Sequence, residues 1–135
     1  MTTTLLAFLG FLCWTLFLLV LMEAIRSKLV LTREVPANGF DPENSNLSPF
    51  MQRLARVYAN CLEGLPLFGG FMILAVIAGK SSITDPLAYV LLAARIAQST
   101  IHLASTSSLA VTARFTAFAV QMGIAAYWAI KFHTV

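Results

Sequence analysis

Arg53, Arg56, Asn60 and Glu63 recur at steps of three, four and three in the stretch RLARVYANCLEGLPLF, residues 53–68. Helical geometry puts residues so spaced on one face. Arg95, Gln98 and His102 repeat the pattern, and Arg114 and Gln121 stand two turns apart. Glu23, Arg26 and Arg33 form a similar set near the start of the chain. Arginine grips carboxylates through a bidentate fork, so guanidinium groups gathered from several helices suit an anionic, carboxylate-bearing ligand. The lone carboxylate Glu63 can neutralise only one of Arg53, Arg56 and Arg114, and His102 adds a further polar group at the same end.

The elements that must position these residues are set by composition. Hydrophobic residues make up 59% of the 135 and charged residues 11%, with a mean hydropathy of +0.80, too apolar for a soluble domain of this length. Residues 5–22 run for 18 uncharged positions, enough at helical rise to cross roughly 27 Å of hydrocarbon. The neutral start MTTT and the long apolar run argue against a cleaved signal peptide. The expected architecture is all-α, an integral membrane four-helix bundle with spans at about 5–26, 50–79, 83–106 and 111–132. Residues 33–49, rich in Pro, Asn, Asp and Ser, read as a polar loop.

Orientation follows from the basic residues. Arg26, Lys28, Arg33, Arg53, Arg56 and Arg114 flank the first and third connections, whereas Lys80 and Lys131 stand at the other side. The positive-inside rule then places both termini on the non-cytoplasmic side and the 33–49 loop in the cytoplasm. The net charge of +3 thus describes a basic rim suited to membrane lipids, and no basic module with stacking aromatics speaks for nucleic acid. Cys13 and Cys61 have neither CxxC nor metal-ligand spacing and are expected to be small buried residues, so no metal is expected.

An ionised side chain in hydrocarbon costs roughly 2.5 to 3.5 kcal/mol even on mild scales, so it faces the bundle and seeks a partner. By helical rise Glu63 lies about 24 Å from Gly79 and Arg95 about 18 Å from Ile83. A long arginine spans that difference, and a buried Glu63–Arg95 ion pair is the expectation, with Gln98 at nearly the same level.

The segment from Arg56 through Asn60 and Glu63 to Pro66 reads Arg-x-x-x-Asn-x-x-Glu-x-x-Pro. It resembles the second-helix signature of the membrane-associated proteins in eicosanoid and glutathione metabolism, the MAPEG family. The stretch RIAQSTIHLASTSSLAVTARF is most similar to bacterial members, which implies a bacterial inner membrane protein. The resemblance implies a homotrimer of four-helix protomers that binds glutathione, as co-substrate, between protomers. Carried over by residue, Arg56, Asn60 and Glu63 would contact glutathione, with Arg53, Arg95, His102 and Arg26 in the same polar set. Arg114 resembles the catalytic arginine that stabilises the glutathione thiolate, since a cation beside sulfur favours the thiolate. The implied function is a glutathione transferase or glutathione-dependent peroxidase acting on hydrophobic small-molecule electrophiles. The alternative is a non-catalytic lipid-binding or scaffold member, a branch that lacks the arginine matching Arg56. The chain departs from the pattern at Gly64 and His102, where family enzymes often have tyrosines, and its connection from His102 to Arg114 is a few residues longer.

Overall fold

Four helices long and apolar enough to cross a membrane make up the computed structural model, which describes residues 1–134. They are α1 (Thr3–Leu31), α2 (Pro49–Ile77), α3 (Ser81–Ala104) and α4 (Ser108–His133). Three of them start at hydroxyl caps that accept an otherwise unpaired amide of the first turn: Thr2 from Leu5, Ser48 from Met51 and Ser107 from Ala110. Helix α1 packs on α2 and α3, and α4 lies against α3 and the second half of α2.

Two apolar clusters hold the bundle. One joins Phe11, Phe68, Met72, Leu91 and Trp128 from all four helices, and the other joins Leu18 and Met22 of α1 to Met51, Leu54 and Cys61 of α2. Polar bonds seal the end where α1 and α3 both begin. The Asp85 carboxylate accepts from the Thr4 amide at 2.9 Å and from the Thr4 hydroxyl, which also bonds the Thr84 hydroxyl at 2.6 Å. A carboxylate at a helix N-terminus is favourably placed against the helix dipole.

Helix α2 is interrupted where the sequence reading drew one continuous span. It is α-helical over Pro49–Gly64, forms a π turn over Leu65–Gly69 and resumes over Gly70–Ile77. Pro66 is the cause: it offers no N–H, and its ring crowds the carbonyl four residues back, which the wider turn relieves.

Helix ends depart from the expectations as well. Arg33 does not share the α1 face of Glu23 and Arg26, because the helix stops at Leu31 and Arg33 takes φ 60°. Its amide bonds Val30 O and that of Glu34 bonds Leu29 O, both at 3.0 Å, a Schellman ending with arginine at the left-handed position. Helix α2 ends the same way with Gly79 there, at φ 70°. Cys61 is buried as expected, but Cys13 is exposed on α1, because it lies on the side of that helix away from the other three.

The loop between α1 and α2 is tied down rather than loose. The buried Asn44 donates to Met51 O at 2.8 Å and accepts from Arg26 Nε at 3.0 Å, while Arg26 Nη2 also reaches Asp41 O at 3.0 Å. The Asp41 carboxylate accepts from the amides of Glu43 and Ser45 and from the Ser45 hydroxyl. The Ser45 hydroxyl, then the Ser45 and Glu43 amides, hold the Asp41 pKa below its ordinary 3.8.

The two Schellman endings predict opposite responses. Arg33→Gly should raise stability and Gly79→Ala lower it, each by about 1 kcal/mol, as read from thermal unfolding in detergent. The Asp41 contribution is present above the ordinary carboxylate pKa and lost as pH falls through the depressed one. Hydrogen-exchange protection of the Glu43 and Ser45 amides, corrected for intrinsic exchange, should therefore disappear at the acid end. Asp41→Asn should flatten that pH dependence.

Candidate functional site

Two adjoining hollows open between α2, α3 and α4. The first, about 290 Å³, is lined by Asn60, Gln98, His102, Arg114, Phe115 and Phe118 among others. The second, about 310 Å³, has Glu63, Gly64, Leu67, Phe68 and Arg95 on its wall. Asn60, Gln98 and Phe118 belong to both, so the two form one continuous polar-floored cleft. Together they reach the size range of small-molecule sites.

Arg95 lies at the centre of this arrangement, 1% exposed. The expected ion pair with Glu63 is not formed: the one salt bridge among the described residues joins Arg26 to Glu23 at 3.2 Å. Glu63 is exposed at the wall of the second hollow, whereas the guanidinium packs against Gly64 and bonds no carboxylate among the described residues. A Cβ at position 64 would stand 2.7 Å from Arg95 Nη2 and 3.2 Å from the Phe68 ring, so a side chain there would displace the guanidinium from this place. The guanidinium carbon sits 5.5 Å from the ring centres of Phe11 and Phe68 and 6.0 Å from that of Phe118. Ring faces attract a cation, but each is worth only about 0.5 to 2 kcal/mol. The remaining hydrogen bond is a long one of 3.5 Å from Nη1 to Asn60 O, and Nε has no partner among the described residues.

Arg114, on the first turns of α4, faces the first hollow with a buried, unpartnered Nη1. His102 is buried on the opposing wall, one helical step of four beyond Gln98 on α3. Arg56 is exposed on the same helix as Asn60 and makes no hydrogen bond to protein among the described residues.

Two other sequence candidates are occupied elsewhere. Arg53 donates through Nε to Leu103 O at 2.9 Å, satisfying a carbonyl that the end of α3 leaves open. Arg26 is spent on Asn44, Asp41 and Glu23 beneath Phe40, and it lines a separate hollow of about 490 Å³ between α1, the loop and the far face of α2. It does not join the Arg95 cleft.

Sequence reasoning passed over the aromatic cage. Phe68 and Phe118 are two of ten phenylalanines, and nothing in their spacing separates a ring under a cation from a ring in the core. Gly64 carried a signal, as a small residue placed directly after the signature glutamate.

The comparison with protein families gives a match to the MAPEG family over residues 4–132, nearly the full chain. No match was found among curated proteins or among solved structures. Four apolar helices long enough to span a bilayer, a cleft lined by Arg95 and Arg114 together with Asn60 and Glu63 of α2, and a family match of this extent lead to one identification: the chain is an integral membrane protein of the MAPEG family.

Proposed function

We propose that the protein is a membrane-bound glutathione transferase or glutathione-dependent peroxidase acting on hydrophobic electrophiles that enter from the bilayer. The observation that carries this reading is Arg95, a cation 1% exposed with three ring faces and no carboxylate beside it. A buried charge left so poorly matched costs stability, and an anionic ligand in the adjoining cleft would supply what the protein withholds. Arg114 adds a second guanidinium with an unpartnered nitrogen facing the cleft. Glutathione has the required chemistry: two carboxylates for guanidinium groups, an ammonium for the exposed Glu63 carboxylate, and a thiol.

In this reading Arg56, Asn60 and Glu63 hold the tripeptide, Arg95 completes the charge balance, and Arg114 lies beside sulfur. A cation there stabilises thiolate over thiol and so raises the fraction able to attack an electrophile. Phe115 and Phe118, on the same wall, offer the apolar surface an electrophile would need. Arg56, Asn60 and Glu63 are exposed in one protomer, and a homotrimer would cover them, bringing Arg26 of a neighbouring copy to the cleft. The basic end of the bundle faces the cytoplasm by the positive-inside rule.

Two substitutions test the reading in detergent-purified protein titrated with glutathione. Arg95→Leu should raise the thermal stability of the ligand-free protein by about 1–3 kcal/mol and weaken glutathione binding, as expected of a residue kept for function. Lower stability with unchanged affinity would instead assign Arg95 to packing. Arg114→Leu should reduce the thiolate absorbance and lower kcat for conjugation of an aryl halide on the order of 100-fold, with a much smaller change in affinity. A wild-type protein that binds glutathione but shows no thiolate and no turnover is a scaffold, not an enzyme.

A further inference from the structure

Gln121 is fully buried on α4, and its Nε2 reaches two acceptors, Ala117 O at 3.2 Å and Gln98 Oε1 at 2.8 Å. A main-chain carbonyl accepts and never donates, so the Gln121 atom facing Ala117 must be the nitrogen. That orientation dictates the next one: the Gln98 atom meeting this nitrogen must be the oxygen. The Gln98 nitrogen is then left as a donor for the cleft, and Gln98 is one of the residues shared by both hollows. The arrangement strands Gln121 Oε1, buried without a partner among the described residues. An apolar side chain of similar shape would avoid that cost, so packing alone gives no reason for glutamine here.

We propose that Gln98 is a fixed hydrogen-bond donor to an oxygen atom of the electrophile and that Gln121 is the positioning residue that fixes it. The site would thereby favour electrophiles that release negative charge onto oxygen, such as hydroperoxides, over those that expel halide. This rests on the glutathione reading above.

The chemistry balances with glutathione as the only reductant. The thiolate attacks the terminal oxygen of ROOH and the O–O bond breaks, giving glutathione sulfenic acid and the alkoxide RO⁻. The alkoxide takes the proton of a second glutathione thiol to become ROH. The thiolate so formed attacks the sulfenic sulfur, hydroxide leaves and is protonated to water, and glutathione disulfide results. An amide N–H cannot give up its proton at neutral pH, so it stabilises the alkoxide as charge develops without consuming it. A halide leaving group makes far less use of such a donor.

The test compares reduction of cumene hydroperoxide with conjugation of benzyl chloride, which expels chloride with no charge placed on oxygen, both with glutathione, in wild type, Gln121→Leu, Gln121→Met and Gln98→Leu, and in the Gln98→Leu/Gln121→Leu double variant. Freeing the Gln98 amide should lower kcat for the hydroperoxide on the order of tenfold relative to that for the halide, because an unanchored amide donates only part of the time. Thermal stability of Gln121→Leu and Gln121→Met should match or exceed wild type, since the stranded oxygen is gone. The double variant should fall no further than Gln98→Leu, the non-additivity expected of two residues acting as one device. Equal losses in both reactions, or additive losses in the double variant, would overturn the positioning role while leaving the glutathione reading intact. A wild-type protein that neither binds glutathione nor consumes either substrate overturns both.

Discussion

A guanidinium buried among hydrocarbon-facing helices without a carboxylate organises this protein. Every helix contributes to its accommodation: Phe11 from α1, Phe68 and the Asn60 carbonyl from α2, Arg95 itself from α3 and Phe118 from α4. Three ring faces and one long hydrogen bond fall short of a full counter-charge, and shifting any wall of this cage would leave the cation worse off. Gly64 belongs to the same constraint, because a side chain there would occupy the path that Arg95 takes inward. The π turn that follows at Leu65–Gly69 carries Phe68 into the cage, so the backbone irregularity forced by Pro66 and the placement of the cation are linked.

Four of the arginines fall into two physical groups. Arg26 and Arg53 have protein acceptors: one ties the loop to α1 through Asn44 and Asp41, the other closes the end of α3 through Leu103. Arg95 and Arg114 keep buried nitrogens without partners, and both line the cleft. Guanidinium groups bonded to protein account for architecture, and buried ones with open nitrogens define where a ligand's charge would be stabilised. The glutamine pair adds a neutral element to this contrast. Gln121 leaves its own oxygen unsatisfied while its nitrogen is anchored to the main chain, so the polarity imposed on Gln98 is a directed feature of the cleft wall.

Much of this was legible in the residues alone. Four spans and their all-α character follow from hydropathy, because in a bilayer every backbone amide must be satisfied within its own helix. The α2 signature from Arg56 to Pro66 was visible as a stripe of polar residues at helical spacing, and the family match over residues 4–132 agrees with the resemblance it suggested. The placing of Asn60, Gln98, His102 and Arg114 around one cleft follows from the same periodicity, since each helix has a single polar face.

Periodicity assigns a face to each residue, but not the direction in which a long side chain leaves it. Glu63 and Arg95 line the same hollow, yet Glu63 stays exposed at its wall while Arg95 is buried against Gly64 and three rings, a choice made by the space left between packed helices. Arg26 sits on a polar face like the others, but the folded loop brings Asn44 and the Asp41 carbonyl to it first. Sequence by itself therefore determined the solvent, the number of helices and the stripe of polar groups that each helix carries, because these depend on transfer free energy and helical spacing. Which of those groups bond to protein and which stay open to a ligand was decided by tertiary packing, because hydrogen bonds and cation–ring contacts depend on distances of a few ångströms between residues far apart in the chain.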